Sequence, residues 1–423
     1  MILAYKGIKR ERDGSIVYER KGFSVKKHTE VELGSSEGIA TERKVFSIKP
    51  VFSRIDRPFL ILVLVLLGFG LMMMFSASYA WGLEQGDGYF YIKKQAIFAV
   101  IGIIAMGVTS IVDYHNYLNT YVAFGFFLLM LALTFYTAIA GTSTADASRW
   151  IVIGSFRFQP SELLKISLII IFAYTGAVNF PKYSSWKYST IPYIVYLGLA
   201  VLGLVLQRHL SAVMLVSVLG LSLMFVSGVP LKTFVKFMIV LAVLGIIAAL
   251  FLYFVTGGFS YIEERIISWR DPMSDVQGKT HQTYNALLAI GSGGIFGLGF
   301  GESRQKYLYL SESQNDFVFA IVCEEFGLIG AIVVILLFSL LIVHGFYIAT
   351  RAKDRFGMLL AAGITIQIGS QALLNMMVAC NAFPNTGISL PFFSYGGTAL
   401  TLQLAEMGMI LNVSRQARVK KKR

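Results

Sequence analysis

The sequence predicts an all-α polytopic membrane protein with ten transmembrane helices and a large extracytoplasmic loop between helices seven and eight. Three observations lead there. Hydrophobic residues make up 56% of the 423 and charged residues only 14%, against about 25% charged in soluble domains. Apolar runs able to cross a bilayer core as helices, which takes about 20 residues each, recur along the chain. The net charge of +13 gathers in two tails and short loops, not in a surface stripe, which argues against nucleic acid as a partner. The two cysteines, Cys323 and Cys380, lie in or beside apolar runs and provide no disulfide framework.

Residues 1–57 form a basic tail that alternates charged and apolar residues around Ser15 to Glu32. A small hairpin, a segment lying on anionic lipid and a disordered tail all fit that pattern. The apolar runs then follow at 58–80, 91–111, 117–139, 160–179, 189–207, 209–228, 230–256, 316–343, 356–378 and 396–413. An even count puts both termini on one side. Lys and Arg concentrate on cytoplasmic segments, so the tails 1–57 and 414–423 are expected inside. The loops holding Lys182 and Lys187, Lys232, and Arg351 to Arg355 agree, whereas Lys93, Lys94, Arg149 and Arg157 run against the trend. The segment 257–315 is then outside, and a loop of that length within a compact domain is usually functional or disordered.

Ionisable groups inside a membrane need a partner or a task. Glu162 and Lys165 stand three apart at the start of the fourth run and share a helical face. Both a mutually satisfied pair and a substrate contact fit them. Glu324 and Glu325 lie about two turns into the eighth run, behind Asp316. Gln367, Gln371 and Asn375 recur at i, i+4 and i+8, as an interhelical hydrogen-bond seam or a substrate-facing stripe would. With Gln403, Glu406, Arg149 and Arg208 they predict a polar cavity open to the outer leaflet, suited to a substrate with phosphate and hydroxyl groups. In the outer loop, Asp271 precedes Pro272 and reads as a turn. Asp275 has no evident capping partner and is the better general base. Six glycines between Gly291 and Gly301 form either a phosphate-binding backbone nest or a flexible or re-entrant turn. No Walker loop, HExxH motif or nucleophile elbow occurs, and the five histidines show no metal-ligand spacing.

Three motifs then stand out: ASRWIVIGSFRFQPSELLK at 147–165, RIISWRDPMSDVQG with AIGSGGIFGLGFGESRQKYLYL within 265–310, and FPNTGISLPFFSYGGTALTLQLAEMGMILNVSR at 383–415. In these the chain resembles the SEDS family (shape, elongation, division and sporulation) over about residues 55–415. FSASYAW at 75–81, YFYIKKQ at 89–95 and the ending AEMGMILNVSR are closer to its FtsW/SpoVE branch than to RodA. The resemblance implies a ten-helix membrane domain over 58–413 whose loop 257–315 carries the catalytic aspartate. It also implies an inverting peptidoglycan glycosyltransferase that polymerises lipid II at the outer face of the bacterial cytoplasmic membrane during division or sporulation, in cell wall biogenesis and the control of cell shape.

By this resemblance Asp275 is the catalytic residue. Arg149, Glu162 and Lys165, with Gln371 and with Ser394 and Tyr395 of the last motif, are the substrate-binding set, and Trp150 accompanies Arg149. No cofactor is required beyond, at most, a divalent cation such as Mg²⁺ or Mn²⁺. The expected partners are lipid II and the growing glycan, membrane lipids, a class B penicillin-binding protein (a transpeptidase) and other division proteins. The chain departs from the family at Ser311-Glu312-Ser313-Gln314, where Pro-Glu-x-His is common, and at Gln207-Arg208-His209, where an acidic turn is common. Two other functions compete. A lipid II flippase would show repeated halves and broken helices at the midplane, and the sequence displays neither. A non-catalytic division scaffold would leave the intramembrane acids unexplained.

Overall fold

The computed structural model describes residues 8–10, 16–18, 55–144, 147–153, 156–236, 238 and 260–417. Residues 1–45 and 46–423 are separate compact units. In the first, β1 (Ile8–Arg10) pairs antiparallel with β2 (Ile16–Tyr18), Ile8 opposite Tyr18. The hairpin reading of the tail therefore holds for these six residues, and 19–32 lies outside the described ones.

The second unit is built from α1 (Arg57–Glu84), α2 (Phe90–Ile111), α3 (Thr120–Ala140), α4 (Pro160–Val178), α5 (Ile191–Leu206) and α6 (Leu210–Val226). It continues with α7 (Ser260–Arg270), α8 (His281–Gly293), α9 (Val318–Thr350), α10 (Arg355–Ala379) and α11 (Gly397–Gln416). The predicted runs coincide with α1 to α6 and α9 to α11. Most of 230–256 lies outside the described residues. Among the described residues seven helices are long and apolar enough to cross a membrane: α1, α2, α3, α4, Trp186–Leu206 (which contains α5), α9 and α10. The protein is a multi-pass membrane protein. The 17 residues of α6 fall just short of that length.

Burial separates centre from periphery. In α4 and α10, 72% of the most apolar stretch is buried, against 28% in α2 and α9, so the first two are the central staves and the others face outward. Helix starts follow local chemistry. Asp56 caps α1 by accepting the Phe59 N–H at 3.1 Å, Asn119 caps α3 through the Tyr121 N–H at 2.9 Å, and Pro160 opens α4, where its missing N–H costs nothing.

One element departs from the all-α expectation. Between α3 and α4 a small antiparallel sheet runs in the order β3 (Thr142–Thr144), β4 (Ala147–Ile153), β5 (Phe156–Phe158), with Thr142 opposite Trp150 and Ile151 opposite Phe158. The β-branched and aromatic run Trp150-Ile151-Val152-Ile153 favours a strand, but it is too short to read against the apolar runs on either side.

The last helix caps the second. Asn412 Nδ2 donates to the carbonyls of Ser110 (2.8 Å) and Val112 (2.6 Å), and Arg415 donates to that of Ile111 at 3.0 Å. These are the carbonyls a helix end leaves without intrahelical partners. Beside them His115 bridges two acids, with Nδ1 2.6 Å from Asp113 Oδ1 and Nε2 2.9 Å from Asp354 Oδ2. Both ring nitrogens meet carboxylates, so the imidazolium is the species that satisfies both. The hydrogen bond to Asp354, joined by that to Asp113, raises the His115 pKa against the opposing effect of burial. Burial alone would push the Asp354 carboxyl up. Hydrogen bonds from His115, Tyr114 and the Gly357 N–H outweigh it and hold the group at about 2.

Because the folded-state pKa of His115 is raised, the clamp's stabilisation is fully present below the unfolded value, about 6.5, and is lost as pH rises through the raised folded value. The Asp354 contribution, whose pKa is depressed, disappears only as pH falls toward about 2. Thermal stability in detergent should therefore fall as pH rises above about 6.5 through the raised folded value, and His115→Gln should flatten that dependence. An unchanged slope in the variant would assign the dependence elsewhere.

Candidate active site

The polar stripe on α10 forms a seam through the centre of the bundle. Gln367 Nε2 donates to Glu406 Oε1 of α11 at 2.7 Å. One turn on, Gln371 Oε1 accepts from Lys165 Nζ of α4 at 3.2 Å while its Nε2 donates to the Ser389 carbonyl at 3.0 Å. A further turn on, Asn375 Nδ2 donates to the carbonyls of Asp316 (2.7 Å) and Ile388 (2.6 Å). Lys165 is also ion-paired to Glu162 at 3.0 Å, with 3% and 18% of the two side chains exposed.

Where an open polar cavity was expected, these groups form a packed, hydrogen-bonded seam. Lys165, Gln371, Asn375 and Glu406 are all buried, because helix spacing of three and four sets donors opposite acceptors. Glu162 is the more exposed partner of Lys165, with 18% of its side chain accessible.

The chain segment 380–396, between α10 and α11, roofs this seam. Asn385 Nδ2 donates to Gln282 Oε1 of α8 at 3.0 Å, and Arg265 of α7 donates to the Asn385 carbonyl. Trp269 Nε1 donates to the Asn381 carbonyl at 3.1 Å and Asn381 Nδ2 returns a bond to the Trp269 carbonyl at 3.0 Å. The turn joining α7 to α8, which carries Asp271 and Asp275, is thus tied to the same roof that holds Gln371. Asp271 closes a turn as expected, accepting the Met273 N–H at 3.2 Å. Asp275 does have a local partner, contrary to the sequence reading. Its Oδ2 accepts the Lys279 N–H at 2.9 Å, a bond made possible by the close approach of the side chain to Gly278. The carboxylate stays exposed.

Of the other expected contacts, Ser394 lies in the roof, where its Oγ accepts the Leu390 N–H at 2.7 Å and donates to the Asn315 carbonyl. Tyr395 packs edge-on against Tyr91 with ring centroids 5.0 Å apart. Arg149 is on β4, its side chain outside the described residues.

Glu324 and Glu325 hold a loop. Glu324 accepts from Ser303 Oγ and from the N–H groups of Arg304 (2.9 Å) and Gln305 (3.3 Å). Glu325 pairs with buried Lys306 at 3.1 Å and accepts from Ser76. The glycine run ahead of them is not an anion nest. The N–H groups of Gly297, Leu298 and Gly299 donate to the carbonyls of Gly293, Glu324 and Glu325. The last two carbonyls are free because α9 breaks at Gly327, whose φ is 64°. The sequence reading expected no broken helix.

Residues 57–419 match the FtsW/RodA/SpoVE family, described as cell cycle proteins. The chain belongs to this family. It is 36% identical over 366 residues to the "Probable peptidoglycan glycosyltransferase FtsW" of Geobacter sp. (strain M18), covering 86% of this chain and 97% of that one. It is 37% identical over 369 residues to stage V sporulation protein E of Bacillus subtilis (strain 168), covering 86% and 98%. Its fold is similar to a chain solved in a study of how a peptidoglycan synthase complex coordinates polymerization and crosslinking, with a TM-score of 0.69, 24% identity and coverage of 85% and 98%.

In this FtsW/RodA/SpoVE chain the sequence reading missed Asn381, Asn385 and Ser389, which connect the Asp275 turn to Lys165, and Lys306, which answers Glu325. The clue for the first three was the concentration of polar residues in a segment otherwise apolar and aromatic. Lys306 had none, because its partner lies 19 residues downstream in another element. Among the described residues no three His, Cys, Asp or Glu side chains converge as a metal site requires.

A Cβ at Gly297 would come within 2.1 Å of the Glu325 carbonyl oxygen, and one at Gly327 within 2.4 Å of that of Ile295. Gly327→Ala must also hold a positive φ, so it should destabilise the protein by about 3 kcal/mol. The readout is thermal unfolding in detergent, and Gly291→Ala, where nothing lies within 4 Å, should leave it unchanged.

Proposed function

We propose that this chain is a peptidoglycan glycosyltransferase that polymerises lipid II. The activity named for its FtsW relative supports the reading. One observation of this chain's own geometry carries it: an exposed carboxylate, Asp275, sits on a turn joined through Asn381, Asn385, Ser389 and Gln371 to a buried cation, Lys165. Inverting glycosyl transfer needs those two charges. A carboxylate takes the proton from the acceptor sugar hydroxyl as it attacks the anomeric carbon, and a cation receives the departing lipid pyrophosphate.

Asp275 is the base. Lys165 is the phosphate-binding group, in an exchange where substrate phosphate replaces the Glu162 carboxylate as its partner, and Arg149 assists from β4. Gln371 orients Lys165, while Ser394 and Tyr395 shape the roof over the sugar. The finer topology belongs to the same proposal: ten spans over 58–413, tails 1–57 and 414–423 in the cytoplasm, and the loop 257–315 at the outer face. A transpeptidase of the penicillin-binding class is the expected partner, at the septum of a dividing or sporulating cell. A flippase is the second reading: α9 is a broken helix, as in such transporters, although its break lies near one face of the hydrocarbon and not at the midplane. Purified protein mixed with lipid II in detergent separates the two, since only a polymerase yields glycan that runs as a ladder on a gel.

Asp275→Asn keeps the shape and can still accept the Lys279 N–H, so folding and lipid II binding should be retained while polymerisation falls by about 10²- to 10⁴-fold. A rate within about threefold of the parent would remove Asp275 from the role. Lys165→Met should abolish polymer formation, and so should Glu162→Gln with Lys165→Met together. Polymer made by that double variant would reduce the pair to mutual neutralisation.

Orientation is tested by a cysteine at Tyr309, which is 61% exposed, in a Cys380→Ser background. An impermeant maleimide should label it in intact cells, and labelling only after lysis would invert the topology.

A further inference from the structure

The seam between α9 and the glycine run satisfies a condition that lipid, not water, imposes. The break at Gly327 frees backbone groups on both sides, and the loop answers four of them. Leu298 and Gly299 donate to the Glu324 and Glu325 carbonyls at 2.9 and 3.0 Å, and Leu328 and Ile329 donate to those of Gly294 and Ile295 at 2.9 and 3.3 Å. The loop's outward side chains are apolar. Ile295 is 61% and Phe296 81% exposed, next to Leu328 at 55% and Ile329 at 48%. Glu324 and Glu325 point inward and are buried, and the nearest exposed charges in the chain, Glu302 and Arg304, come after the loop's end.

Depth follows from α9 itself. Its apolar face continues through Ile332 to Val343 and ends at His344, which pairs with Asp56 at the start of α1. Counting back about 20 residues from Val343 puts the other boundary of the hydrocarbon near Cys323, so Gly327 lies about 6 Å inside it. Non-helical backbone at membrane depth is tolerated only when its polar groups are answered within the protein, and the four bonds between loop and break serve that end.

We propose that residues 294–300 are a re-entrant segment embedded in the outer leaflet, with Ile295 and Phe296 packed among phospholipid acyl chains. The exposed face of α9 is continuous with this surface and shares its occupant. Embedding requires only that α9 crosses the membrane. That the leaflet is the outer one rests on the orientation proposed above, and the maleimide experiment tests that separately.

The test places a nitroxide at 296 (Phe296→Cys) in the full-length Cys380→Ser protein, reconstituted in phosphatidylethanolamine and phosphatidylglycerol vesicles. Power saturation compares collision with oxygen, which concentrates in lipid, and with a water-soluble nickel chelate. A label at Ile332→Cys gives the lipid reference, and Ile295→Cys repeats the measurement should the first variant fail to fold. Oxygen accessibility well above chelate accessibility, as at 332, is expected. Chelate accessibility exceeding oxygen overturns the proposal in favour of an aqueous loop. Low accessibility to both overturns it in favour of a covering protein, whether a second copy or a partner.

Discussion

Lipid offers no hydrogen bonds, so each polar group the chain carries into the bilayer has to be answered from within the protein. The three amides of α10 meet that requirement for the centre of the bundle. Gln367 reaches α11, Gln371 reaches α4, and Asn375 reaches the start of α9 and the roof segment. Remove the stripe and a carboxylate and several carbonyls lose partners at once, while a cation keeps only its ion pair to Glu162. This is why α10 is among the most buried helices, although it is not the most apolar.

The same requirement explains how two distant charges can belong to one site. Lys165 sits deep among helices, where burial would be costly without Glu162 and Gln371. Asp275 sits on an exposed turn whose own contacts are local. Tethers from α7 and α8 to the roof link that turn to α10, and the roles proposed for Asp275 and Lys165 depend on pre-organisation of this kind.

Much of this was legible in the residues. Helices announce themselves by runs such as 58–80 and 356–378, and the paired spacing of Glu162 with Lys165 and of the α10 amides is a direct reading of helical period. What escaped was non-local or conformational. A lone glycine in an apolar helix, like Gly327, carries no sign that the helix breaks there. Its role emerges only when the loop at 293–301 folds back on it. Asp275 looked unpartnered because the N–H it accepts belongs to the backbone of Lys279, which any residue but proline would supply. The acids at 324 and 325 suggested chemistry but serve to hold a loop, through partners in other elements that no spacing links to them.

The cap that α11 provides for α2 bears on how the chain is made. Asn412 lies 300 residues beyond the Val112 carbonyl it satisfies. Synthesis and insertion run from the N-terminus, so the last carbonyls of α2 are made long before the α11 side chains that satisfy them. Closure of that helix end is therefore a late event, and a chain cut before α11 lacks it.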